Sequence, residues 1–213
     1  MKELLDKIIN HKYQEEYLFS GESCAIVGNS SIILEQELGE DIDSHDFVFR
    51  FNHAIVKGYE KYVGSKTNIR MISNHLVAAI NGYDVSENEK TFSNFSKDIF
   101  KELNETNFIS QPDVQLSKVR LLYPHMKFNH ITPNTQSMLD SLVDLHPTSG
   151  FIGISLALAH FDKVTCVGFD FYKGINDHYF ENVVKYDRNI VHSLDAEKEF
   201  TNYLRDNNII NFK

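Results

Sequence analysis

Two short apolar runs, each ending in glycine, constrain this chain most: Ser23-Cys24-Ala25-Ile26-Val27-Gly28 and Val164-Thr165-Cys166-Val167-Gly168. A run without polar alternation offers no face to water, so it fits a strand covered on both sides. Three further segments have this form: Phe47-Val48-Phe49-Arg50-Phe51, Ile69-Arg70-Met71-Ile72 and Val119-Arg120-Leu121-Leu122-Tyr123. Between these runs, helices are predicted over 92–104, 134–145, 150–160 and 195–206. A first helix is predicted over 3–18, within an amino-terminal segment 1–20, because Leu4, Leu5, Ile8, Ile9, Tyr13 and Tyr17 fall near helical spacing. Strands alternating with helices of this length predict an α/β fold: a single, mainly parallel sheet with helices on both faces. Such sheets bind ligands beyond the carboxyl ends of their strands, where the strand order switches.

The length of 213 residues suits one domain spanning 1–213. Residues 77–117 are rich in Asn, Ser, Lys and Glu and weakly periodic, and they read as an excursion or lid. A formal charge of −9 argues against a nucleic-acid partner, since phosphate binding needs a basic face. The opening Met1-Lys2-Glu3-Leu4-Leu5-Asp6-Lys7 is charged and amphipathic, so neither a signal peptide nor a membrane anchor is expected. Cys24 and Cys166 are too few for a disulfide framework, and two buried reduced thiols in a cytoplasmic protein are expected.

Three clusters carry chemistry. Gly28-Asn29-Ser30-Ser31 follows the first buried run directly. Glycine permits close backbone approach to a ligand, and Asn and Ser supply neutral donors for phosphate or ribose oxygens; the same residues also suit a plain strand-to-helix turn. The cluster is neither Gly-x-Gly-x-x-Gly nor a P-loop, so dinucleotide and ATP binding gain no support. Pro147-Thr148-Ser149-Gly150 precedes an apolar helical run, which makes it a helix cap and, with its open amides, an anion site. The third cluster is His178-Tyr179-Phe180-Glu181, followed by His192 and Glu197. Histidine titrates near neutrality and suits proton transfer at a reacting hydroxyl. Neither Cys-x-x-Cys nor His-Glu-x-x-His spacing occurs, and Asp41-Ile42-Asp43 reads as part of a solvated acidic loop, so no metal site is assigned.

The order of these clusters resembles the animal-type sialyltransferases of glycosyltransferase family 29. Cys24 through Ser30, Ile42 through Asn52 and Gly58 through Thr67 look like the family's large sialylmotif. Pro147 through Phe169 resembles the small motif, His178-Tyr179-Phe180-Glu181 the third, and His192 with Glu197 the very short one. The resemblance implies a Rossmann-like, sialyltransferase-type variant of the GT-A-like folds. It implies inverting, metal-independent transfer of sialic acid from CMP-sialic acid to a glycan hydroxyl, with no cofactor. His192 would be the base on the acceptor, and His178 would meet the donor phosphate. Gly28, Asn29, Ser30, Asn52, Thr148, Ser149, Gly150 and Gly168 would bind the CMP-sugar. The partners implied are therefore a CMP-sugar donor and a glycan acceptor, with 77–117 on the acceptor side.

Departures from the pattern carry expectations too. Phe161 stands where the animal enzymes have the small-motif cysteine that pairs with the large-motif one, so the family disulfide is expected to be absent. With the missing anchor, that points to a short, soluble, microbial or viral member. Ser31-Ile32 replaces a common Gly-Asn pair, and His146 stands where several members have tyrosine near the nucleotide. These changes keep CMP-Kdo, or another CMP-activated 2-keto sugar acid, as an alternative donor. A catalytically weak CMP-sugar-binding protein is the alternative of another class, against which the two histidines speak.

Overall fold

The computed structural model describes residues 1–15, 18–74, 76–77, 107–112, 116–171, 178–180 and 192–213. Seven described strands form one sheet: β1 (Ser23–Val27), β2 (Phe47–Phe51), β3 (Ile69–Ile72), β4 (Asn107–Ser110), β5 (Lys127–His130), β6 (Lys163–Val167) and β7 (Asn211–Phe212). Their order is β5-β4-β3-β2-β1-β6-β7, and every pairing is parallel. The α/β expectation therefore holds, and the sheet is wholly rather than mainly parallel. The chain steps outward from β1 to β5, then returns to lay β6 against the other side of β1. The order reverses there, between the ends of β1 and β6.

The helices are α1 (Lys2–Asn10), α2 (Gly39–Asp43), α3 (Glu60–Val63), α4 (Ser117–Leu122), α5 (Pro133–Asp140), α6 (Ser149–His160) and α7 (Leu194–Asp206), with a 3-10 turn at Ser31–Glu35. Side chains alternate along a strand, so β2 sends Phe47, Phe49 and Phe51 to one face and Val48 to the other. The phenylalanine face packs with Ile8 of α1, Phe151, Ile152 and Leu156 of α6, and Phe200 and Leu204 of α7. The opposite face gathers Ala25, Val27 and Val48 with Ile33, Ile42 and Val63. A smaller cluster around Ile72, Phe108, Val119 and Phe128 covers the β3–β5 end. Helices on both faces follow from this division.

Arg50 and Arg70, both fully buried, lie opposite each other on β2 and β3. Arg50 donates to the carbonyls of Val63, Gly64 and Lys66 and to Thr67 Oγ1. Arg70 Nη1 donates to the carbonyls of Asn52 and Ala54. A buried cation needs such acceptors, and here they fix the loops that leave the sheet.

Four expectations are corrected. Val119–Tyr123 is not a strand: Ser117–Leu122 is helix α4, of which only Val119 is buried and Leu121 is 80% exposed. The first helix spans Lys2–Asn10 rather than 3–18, and His11 turns extended. Part of 77–117 is core, because β4 sits inside the sheet between β3 and β5. Asp41–Asp43 belongs to helix α2, where Asp41 pairs with Lys213 and Asp43 accepts from Ser65 N, Ser65 Oγ and Lys66 N. The predicted helix 92–104 lies outside the described residues, as do 78–106 and 113–115 of the lid segment. No described helix is long and apolar enough to cross a membrane.

Candidate active site

The reversal of strand order brings two glycines face to face. Gly28 N donates to Val167 O at 2.7 Å and Ser30 N to Gly168 O at 3.2 Å. A Cβ on Gly28 would meet Gly168 O at 2.4 Å, and Gly168 itself has φ +73°. The close approach that Gly28 makes among the described residues is to the backbone after β6. Phe169 continues from there over Gly150, where a Cβ would come within 2.9 Å of its ring. Gly28, Gly168 and Gly150 together let the exits of β1 and β6 and the start of α6 converge.

Two groups of side chains flank this convergence, one beside the Ile33 and Tyr179 cluster and one beside Phe151 on the other face of the sheet. The first stands over the exits of β1 and β2. Asn29 Nδ2 reaches Phe51 O at 3.4 Å, while its Oδ1 is buried without a protein partner. Ser30 is 5% exposed and its Oγ caps the 3-10 turn by accepting from Ile32 N. Asn52 is left-handed (φ 47°), a conformation Asn tolerates better than most, and its Oδ1 accepts from Ser73 N at 2.8 Å. His178 arrives on a separate segment that is pinned here by its neighbour. Tyr179 N donates to Asn29 O and Tyr179 Oη to Ile55 O. The His178 ring stacks on Phe180 (5.1 Å, 13°) and meets His53 edge-on (5.5 Å, 88°).

The second group stands at the start of α6. Thr148 is its N-cap, with Oγ1 accepting from Phe151 N, and Ser149 and Gly150 are its first two residues. The amides of a first helical turn have no partner within the helix, and the dipole makes that end attractive to anions. Glu197, in the first turn of α7, accepts from Thr148 N at 2.8 Å and from Thr148 Oγ1 at 2.6 Å. Burial pushes its carboxyl up to about 7, against the pull of those two hydrogen bonds. The segment before α7 is clipped to the same loop: Leu145 N donates to Ser193 Oγ, and His192 Nδ1 lies 2.7 Å from His146 O. A carbonyl only accepts, so His192 Nδ1 carries a proton and the neutral ring's basic lone pair falls on Nε2.

All the expected site residues therefore lie around the carboxyl ends of the central strands, in two groups: Asn29, Ser30, Asn52 and His178, and Thr148, Ser149, Gly150 and His192, with Gly28 and Gly168 between. Glu181 of the third motif lies outside the described residues. The sequence reading missed His53 and Arg70, because a buried histidine after Asn52 and an arginine in an apolar run carry no spacing signal. Among the described residues no three His, Cys, Asp or Glu side chains converge as a metal site would need. Cys24 and Cys166 are free and buried. Phe161 packs instead on Phe47 and Phe19 (5.2 and 6.1 Å).

Fold and site define an α/β protein with a wholly parallel sheet whose strand order reverses beside β1, and comparison with known proteins gives the family. The model of glycosyltransferase family 29 (sialyltransferase) matches residues 1–209. The chain belongs to that family. It is 32% identical over 163 residues to beta-galactoside alpha-2,6-sialyltransferase 2 of Rattus norvegicus, a match spanning 67% of this chain but only 30% of that protein. Its fold is similar to a mammalian sialyltransferase crystallised with Gal-beta-1-3GalNAc-ortho-nitrophenol (TM-score 0.64, 23% identity, 100% of this chain and 77% of that one). It is also similar to the sialyltransferase CstII from Campylobacter jejuni in complex with cytidine-5'-monophosphate (TM-score 0.54, 16% identity, 91% and 79%). Similar sialyltransferases from Rattus norvegicus, Danio rerio and Gallus gallus are vertebrate proteins and do not bear out a microbial or viral origin.

Proposed function

We propose that this protein transfers sialic acid from CMP-sialic acid to a glycan hydroxyl, with inversion and without a metal ion or cofactor. The observation that carries this reading is the clip of His192 to the loop before α6. With Nδ1 held by His146 O, the ring offers Nε2 as base beside a helix start suited to an anion. An acceptor hydroxyl is a poor nucleophile until such a base takes its proton, and positioned bases contribute about 10²–10⁴-fold. The departing CMP phosphate is met in this reading by His178 and by the Ser149 and Gly150 amides, preorganised charge complementarity that needs no added cation. Asn29, Ser30, Asn52 and Thr148 hold the nucleotide and sugar. A cytoplasmic location belongs to the same proposal and is checked by fractionating cells that make the protein.

The test is incubation with CMP-sialic acid and, side by side, CMP-Kdo over a glycan array with EDTA, read by mass spectrometry. Sialyl transfer that survives EDTA is expected. CMP release from CMP-Kdo alone would overturn the donor, and loss of transfer on chelation would overturn the metal-free route. Tight CMP binding with no transfer to any acceptor would instead mark a binding protein. His192→Ala should lower turnover by at least ~10²-fold with CMP affinity retained. Near-normal turnover would remove His192 from the mechanism.

A further inference from the structure

His53 is 1% exposed, has no assigned role, and is the only imidazole among the described residues in ring contact with His178. We infer that His53 is a positioning residue for His178, fixing the orientation of the imidazole that faces the donor phosphate. The inference rests on that reading of His178. Its geometry is a cluster of three rings drawn from two segments: His178 stacks on Phe180, and His53 stands perpendicular to both, 5.5 Å from one and 4.9 Å from the other. Tyr179 fixes the backbone of the His178 segment through Asn29 O and Ile55 O, but it does not set the His178 side chain. Among the described residues, Phe180 and His53 are the rings in contact with that side chain. Stacking on Phe180 alone leaves a ring able to slide or turn in its own plane, and a perpendicular ring against its edge closes that freedom.

His53 can act as such a stop because its own backbone is immobilised on both sides. Arg70 Nη1 donates to Asn52 O at 2.9 Å and to Ala54 O at 3.0 Å, gripping the residues before and after it. Arg70 is itself fully buried in β3. A continuous chain of contacts therefore runs from the sheet interior through Arg70 and His53 to His178. The same grip fixes Asn52, so the donor-binding amide and the phosphate-facing imidazole are set by one arginine. Because a misplacement of about 1 Å can cost about 10²-fold in rate, orientation at this ring has a measurable price.

The experiment compares His53→Ala with His53→Phe in the full chain. His53→Phe keeps a ring at the stop, and His53→Ala removes it. His53→Ala should lower kcat by about 10- to 100-fold with KM for the CMP-sugar within about twofold, and His53→Phe should recover most of that loss. Loss in KM alone, or equal loss in both variants, overturns the inference, since simple packing damage would not separate kcat from KM. Nuclear Overhauser contacts between the His53 and His178 rings in the wild-type chain supply a readout independent of folding in the variants. Their absence overturns the inference as well. Wild-type protein that neither binds CMP nor transfers sugar would sink the functional reading, while the ring contacts would still report on His53.

Discussion

Glu197 ties the helix start of the candidate site to pH. Its carboxyl rises from an ordinary value of 4.5 to about 7, because burial penalises the charged form more than Thr148 holds it. A folded-state value above the unfolded one means that the folded protein binds this proton more tightly. The stabilisation is complete below about pH 4.5 and drains away as pH rises through about 7, with a ceiling of about 3 kcal/mol. Wild type should therefore lose thermal stability relative to Glu197→Gln between about pH 4.5 and pH 7. A stability difference that is flat across that range would sink the argument. Asp43 runs the other way. Burial alone would raise its carboxyl, but Lys66 N, Ser65 Oγ and Ser65 N, with Arg50 behind them, bring it below the ordinary value. Its contribution is present at neutral pH and lost as pH falls through the acid range, so Asp43→Asn should blunt acid unfolding, as followed by circular dichroism.

At the scale of elements, one device occurs twice. Thr132 caps α5 and Thr148 caps α6, and each cap's own backbone N–H donates to a buried glutamate from far along the chain. Glu15 also accepts from Thr135 Oγ1, as Glu197 does from Thr148 Oγ1. Removing such an acceptor leaves a buried N–H unpaired, which costs about 1–3 kcal/mol. Glu15→Ala should lower the urea midpoint accordingly without changing its slope, and an unchanged midpoint would show that the clamp contributes nothing. The same scale explains what the sequence revealed. β1, β2, β3 and β6 are continuous apolar runs, and the Thr148 cap preceded its helix as predicted. Val119–Tyr123 misled because a short apolar run does not distinguish helix from strand, and here Leu121 and Leu122 face solvent. β4 and β5 escaped notice because Phe108, Ile109 and Phe128 are their only nonpolar side chains, too few for an apolar run. The site residues were legible as motifs, whereas the clips that place them pair residues tens of positions apart and leave no local pattern.

For the whole molecule, protection should follow strand order. β1 and β2 lie inside the sheet with both faces covered, while β5 and β7 are its edges. Hydrogen exchange should be slowest at Ala25–Val27 and Val48–Phe49 and faster at Lys127–His130, because edge strands open locally without unfolding the centre. Uniform exchange across the sheet would contradict this. The reversal beside β1 also has a consequence for how the chain is made. Ser23 pairs with Lys163, so one side of β1 waits for a strand that leaves the ribosome only after most of the chain has been synthesised. Until then, the half-sheet β5-β4-β3-β2-β1 has its most apolar strand as an open flank. Parallel pairing over such a separation is intrinsically slow, and an open edge of this kind invites a second nascent chain. Synthesis rate and chaperone supply should therefore govern the yield of folded protein more than any single contact in the finished site.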